Sequence, residues 1–133
     1  MKYSTQDYIE YRLKRGKESL EEAQIMFKQE HWNLSINRLY YACYYSISAL
    51  LLASHISPKT HSGVHSQFNL HFVKKSKVSK EDGNLFTELM NMRTKGDYGD
   101  MFEFDKKTIK PLIPRVKKFL HDIEKLINVK RKS

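Results

Sequence analysis

Residues 34–56 read LSINRLYYACYYSISALLLASHI, and the fold turns on how that stretch is read. It holds no Gly or Pro. Ile36, Tyr40, Cys43, Ile47 and Leu50 recur at steps of four and three, the spacing of one packed helical face. A second row, Leu39, Ala42, Ser46, Ala49 and Ala53, is mostly small and admits a close neighbour. The third row, Arg38, Tyr41, Tyr45, Ser48, Leu52 and His55, keeps the step but carries a guanidinium and phenols. A helix apolar nearly all round is normally buried. Polar groups on it need partners, because unpaired burial is costly. That row is where function is sought.

Working outward, residues 4–30 form a first helix. Ser4 and Asp7 make a capping box, and Ile9, Leu13, Gly16, Leu20, Ala23 and Phe27 share a face. The opposite face, with Arg12, Lys14, Lys17, Glu18, Glu21 and Glu22, is solvated. His31-Trp32-Asn33 is the turn, Asn33 caps the central helix, and so short a connection implies an antiparallel hairpin. Ser57-Pro58-Lys59 closes the central helix, since the residue before Pro avoids helical geometry. Thr60 caps a third helix over 61–73 with Val64, Phe68 and Phe72 inward, and KKSKVSKEDG follows as a solvated loop.

A fourth helix, 81–94, carries Leu85, Phe86, Leu89 and Met92. Gly96 and Gly99 end it, leaving Asp97 and Tyr98 in a glycine-flanked turn. The last helix begins between 105 and 111, with Asp105 capping the earlier start. It runs to about 128 on Leu112, Val116, Phe119, Ile123 and Leu126, ahead of a frayed basic tail at about 129–133. No strand pattern or repeat is present. The expectation is all-α: one domain, 1–133, folded as an up-and-down bundle of four long helices plus one short helix.

The 133 residues suit a single core. Lys and Arg number 24 against 15 Asp and Glu, a formal charge of +9. That excess favours an anionic partner such as RNA, nucleotide or an acidic protein, with a merely basic surface as the other reading. No unbroken apolar run is long enough for a membrane span, and MKYSTQDYIEYRLKRGKE lacks a secretory core. The single cysteine, Cys43, stands on an apolar row as packing material and leaves no intramolecular disulfide. A cytoplasmic protein is expected.

Chemistry concentrates on Arg38 and the segment Arg93 to Tyr98. An arginine on a largely buried helix calls for a carboxylate, and Asp97 is the first candidate. One reading is a structural Arg38–Asp97 pair that locks the segment to the bundle. The other is a polar pocket of Arg, Tyr and Asp that holds phosphate or ribose. His61 and His65 stand four apart, as metal ligands do, with His55 and His71 nearby, but there is no HExxH motif, no second cysteine and no acidic ligand in the segment, so no metal and no cofactor are expected. Trp32, Tyr3, Tyr8 and Tyr11 suit either base stacking or core and hinge packing. The lysines at 74, 75, 77 and 80, with the terminal KRK, suit either a phosphate backbone or a solvated surface.

Four pieces carry a resemblance: Asn37-Arg38-Leu39-Tyr40-Tyr41-Ala42, Ala49-Leu50-Leu51, Lys59-Thr60-His61-Ser62-Gly63-Val64, and Arg93-x-x-x-Asp97-Tyr98. In this order, from about 5 to 127, the chain resembles the HEPN family of small prokaryotic helical proteins. The resemblance implies a dimerising helical bundle, paired with a minimal nucleotidyltransferase in toxin–antitoxin or defence modules. It also implies metal-independent ribonuclease chemistry from an Arg followed four to six residues later by His. Arg93 matches that arginine, but positions 97–99 are Asp, Tyr and Gly, and the next histidine is His121. The expected acid and base are missing there; His61 could substitute from another helix. The leading expectation is therefore a partner module that binds nucleotide or RNA through Arg38, Tyr41, Arg93, Asp97 and Tyr98. Arg93, Asp97 and Tyr98 are the weak catalytic candidates. A ribonuclease, or a purely structural interaction protein, is the alternative.

Overall fold

The computed structural model describes residues 2–132, with side chains to Lys130. Four helices are long: α1 (Thr5–Lys28), α2 (Trp32–Ala53), α4 (Lys80–Tyr98) and α6 (Leu112–Lys132). Between them, α3 (His61–Phe68) runs into a π-helical turn over Asn69–Val73, and α5 (Lys106–Ile109) is one turn. The chain is all-α, and no strand occurs among the described residues.

α1 and α2 form the expected antiparallel hairpin. Ser4 Oγ accepts from the Asp7 backbone N–H at 3.1 Å, and Asp7 Oδ2 accepts from that of Ser4 at 2.9 Å, completing the capping box. The small row of α2 does bring its neighbour close: a Cβ on Gly16 would stand 3.1 Å from the Ala42 carbonyl oxygen. Ser35 Oγ donates to the Ala23 carbonyl at 2.8 Å, and Arg12 Nη1 to that of Ser48 at 3.1 Å. Arg12, expected on the solvated face of α1, is therefore half-buried across the hairpin.

The helix ends differ from the sequence reading. α1 closes on Glu30 in the left-handed region (φ 61), with Glu30 N–H donating to Phe27 and His31 N–H to Met26. α2 closes the same way on His55 (φ 62), with N–H donors of His55 and Ile56 reaching Leu52 and Leu51. These are left-handed C-terminal caps built without glycine. α2 consequently begins at Trp32 and ends at Ala53, before Ser57-Pro58 is reached. Asn33 is no N-cap. His31 holds that position without a side-chain bond, and Asn33 ties down the distant 96–104 segment. Its Nδ2 donates to the carbonyls of Phe102 (2.8 Å) and Gly96 (3.3 Å), and its Oδ1 accepts from Phe104 N–H (2.9 Å).

α2 is the axis of the molecule. Ile36, Leu39, Tyr40, Cys43, Ile47 and Leu50 are fully covered. Val64 and Phe68 of α3, Phe72, Leu85, Phe86 and Leu89 of α4, and Val116, Phe119, Ile123 and Ile127 of α6 close around it. Thr60 and Asp105 cap as expected, accepting from Gly63 and Thr108 N–H at 2.9 Å each. α6 continues through Lys132, and Ser133, at the end of the expected frayed tail, lies outside the described residues.

The correction that matters for function concerns α4. It does not stop near 94 but runs through Gly96 to Tyr98, with Gly99 as its C-cap. A Cβ on Gly96 would sit 3.1 Å from the Phe104 ring. This glycine makes room for a packed aromatic rather than ending the helix. Asp97 is therefore helical, four residues after Arg93, and not in a turn.

Candidate functional site

The first part of the polar row of α2, Arg38 and Tyr41, finds its partners where the last turns of α4 and the first turn of α3 meet α2. The Arg93 guanidinium lies 4.7 Å from the Tyr40 ring centroid and 5.8 Å from that of Tyr41. Arg38 lies 5.0 Å from the same Tyr41 ring. Two cations distant in sequence thus share one phenol. Asn37 links them further: its Oδ1 accepts from Arg38 Nη2 (2.7 Å) and Nε (3.0 Å), and its Nδ2 donates to Asp97 Oδ2 at 3.1 Å.

Carboxylates answer both arginines, though loosely. Arg93 Nη1 stands 3.7 Å from Asp97 Oδ2, and Arg38 Nη1 stands 3.4 Å from Glu22 Oε1. Ion pairs this long and partly wet are worth roughly 0–1 kcal/mol. A desolvated cation over an aromatic face reaches about 2 kcal/mol. The tyrosines therefore fix Arg93 more than Asp97 does. Arg93 Nε is buried with no hydrogen-bond partner.

His61 belongs to the same cluster. Its Nδ1 lies 2.8 Å from Tyr40 Oη, and its ring stacks on Tyr44 at 4.3 Å. Burial, and then the Arg93 charge, hold the imidazole below its usual range, so the ring is neutral at pH 7. Burial pushes the Tyr40 phenol well above its own range, against the pull of Arg93, and it stays protonated. His65 parts company with His61: its Nε2 meets Thr87 Oγ1 at 2.8 Å. Among the described residues no group of three or more His, Cys, Asp or Glu could hold a metal ion.

Of the residues singled out in the sequence, Arg38, Tyr41 and Arg93 come together. Asp97 joins them, but it pairs with Arg93 and Asn37; Arg38 takes Glu22 instead. The anticipated Arg38–Asp97 pair is not formed, because the helical path through Gly96 sets Asp97 one turn from Arg93 and Asn37 stands between. Tyr98 sits at the α4 terminus, 75 % exposed. Sequence reading missed Glu22, which lies on the outer face of α1, and gave no role to Asn37, although Asn37 directly precedes Arg38.

The comparisons agree with this architecture. The model of the HEPN domain matches residues 9–126. A Thermotoga maritima protein named "UPF0332 protein" is 44 % identical over 119 residues, covering 90 % of each chain. A Methanocaldococcus jannaschii protein named "Putative toxin MJ0142" is 29 % identical over 90 % of this chain and 81 % of its own. A second from that organism, "Putative toxin MJ0605", is 36 % identical over 62 % of each chain. No helix among the described residues is long and apolar enough to cross a membrane. With the family model spanning nearly the whole bundle, the chain belongs to the HEPN domain family.

Proposed function

We propose that this chain is the HEPN component of a toxin–antitoxin module that holds the phosphate of RNA or a nucleotide in the groove of Arg38, Tyr41 and Arg93. Asp97 fixes one arginine and Tyr98 lies at the rim. A minimal nucleotidyltransferase and a second copy of the chain are its partners in this reading, as the family resemblance implies. The toxin names of the two Methanocaldococcus relatives support the module. The observation that carries the reading is the convergence of both guanidinium groups on the Tyr41 ring. An incoming phosphate offers the bidentate acceptor that a guanidinium fork matches. The test is calorimetric titration with a short single-stranded oligoribonucleotide. Arg38→Ala and Arg93→Ala should each weaken binding about ten-fold or more, and unchanged affinity in folded variants removes the groove.

One observation favours a second reading, a ribonuclease: a neutral His61 stands in the Arg93 cluster, supplied by α3 where the family's arginine motif lacks its histidine. With the Nδ1 proton donated to Tyr40 Oη, Nε2 keeps a lone pair for the 2′-hydroxyl proton. The 2′-oxygen then attacks phosphorus while Arg93 neutralises the non-bridging oxygens. The 5′-oxygen leaves and is protonated by water, giving a 2′,3′-cyclic phosphate. RNA cleavage in chelator, lost in both His61→Ala and Arg93→Ala, supports this reading. Intact RNA with the chain alone and with its partner rules it out.

A further inference from the structure

Three tyrosines near the start of the chain stand in solvent where core or hinge packing was the other reading: Tyr3 is 64 % exposed, Tyr8 48 % and Tyr11 59 %. Tyr3 and Tyr8 meet edge to face, centroids 6.0 Å apart. Tyr11 and Arg12 border two cavities. The outer one, about 700 Å³, includes Tyr3 and Tyr8; the inner one, about 270 Å³, is closed by Tyr44, Tyr45 and Ser48 of α2. The Arg15 guanidinium lies 5.2 Å from the Tyr45 ring centroid. Tyr44, the inner wall, is the residue that stacks on His61. A run of ring and guanidinium contacts therefore leads from the Arg93 cluster across the hairpin to the N-terminus, with Leu51, Pro58 and Val64 in the inner cavity and Lys2 and Asp7 in the outer one.

Flat π faces interleaved with guanidinium groups match a ligand that repeats a flat base and a negative charge. An apolar protein partner would make no use of Arg12 and Arg15. A folded duplex hides the base faces that exposed phenols would stack on. Continuity with the groove matters equally, because a strand whose phosphate is held at Arg38 and Arg93 must leave in some direction, and this strip begins there.

We infer that Tyr3, Tyr8, Tyr11, Arg12, Arg15 and Tyr45 form a stacking platform for the bases of single-stranded RNA extending from the Arg38–Arg93 groove. The inference rests on the groove reading above and names the form of its ligand. The strip gives length dependence and little sequence preference, since every base presents a face to stack.

The test compares decauridylate with the dinucleotide UpU by calorimetry on the full chain. The longer strand should bind at least about ten-fold more tightly, the worth of one or two stacked bases. Tyr8→Ala combined with Tyr11→Ala should bring the longer strand down to the dinucleotide's affinity and leave the dinucleotide unchanged, while the Tyr→Phe pair keeps the wild-type difference. Both positions are exposed, so an intact circular-dichroism melt is expected. Equal affinity for the two ligands, no binding of either, or a double Ala variant that binds decauridylate like wild type overturns the platform. So does a double Ala variant that turns a dimer into a monomer without loss of RNA affinity, for then a second copy covers the strip. If instead Arg93→Ala leaves both affinities unchanged while the tyrosine variants lose the longer strand, the groove fails and the platform stands.

Discussion

The hydroxyl of Tyr40, on α2, meets Nδ1 of His61, on α3, at 2.8 Å. This contact joins a core side chain to the arginine cluster, because the Tyr40 ring that is fully covered inside also lies 4.7 Å from the Arg93 guanidinium. His61 thus feels burial first and the arginine's charge second. Arg93→Gln removes the second effect and spares the first. The imidazole should then titrate closer to its ordinary value while remaining below it. NMR of the His61 ring protons across pH 4–8 would show this, and an unmoved titration would place Arg93 too far from His61 to act on it.

Asp82 offers a second pH-dependent test. It is 3 % exposed on α4, faces Asp122 of α6, and lies 3.6 Å from Lys118 Nζ. Burial first, then its hydrogen bond to Asp122, push its carboxyl from 3.8 to about 6, with Lys118 opposing. The folded chain therefore binds more protons than the unfolded one between those values. Its contribution to stability falls as pH rises through that window and is lowest above it. Asp82→Asn, whose amide can donate where the acid proton did, should raise stability at pH 7.5 by roughly 1–2 kcal/mol and by little below about pH 3.5. Urea melts at the two pH values read this directly.

Gly16→Ala sets two effects against each other. Alanine gains about 1 kcal/mol of helix propensity over glycine. Its Cβ, however, would stand 3.1 Å from the Ala42 carbonyl oxygen, a backbone atom that cannot rotate away. Overpacking of this kind costs about 1–3 kcal/mol, so a net loss is expected. A higher melting temperature would mean that the two helices separate more readily than their close approach implies.

Glu30 holds φ 61, where a side chain costs about 1–2 kcal/mol. Glu30→Gly should therefore stabilise the chain by about 0.5–1 kcal/mol, whereas Glu30→Ala should not. Equilibrium unfolding of the pair separates backbone relief from loss of the carboxylate.

How much of this was legible in the sequence follows from which forces are local. The seam of Ile36, Tyr40, Cys43, Ile47 and Leu50 was readable because burial follows helical period, and all five are fully covered. Helix ends were less readable. Glu30 and His55 adopt the left-handed cap without being glycine, and Gly96 looks like a terminator but serves a tertiary contact with Phe104. Arg38 and Tyr41 stood out because polar groups on an apolar helix demand partners, and Arg93 because it precedes a glycine-flanked segment and matches the arginine of the HEPN resemblance. Their actual partners did not, since Glu22 lies on a face that reads as solvent and Asn37 acts only once α4 has passed Gly96 as a helix.

Arg38 and Arg93 are matched by Glu22 and Asp97, so the cluster is formally neutral before any ligand arrives. A phosphate bound there as proposed would not fill an empty cationic hole; it would trade places with a carboxylate, as on an ion-exchange resin. Few small counterions are expelled in such a swap. The ionic-strength dependence of binding at the groove should accordingly be shallow beside that of an open lysine patch.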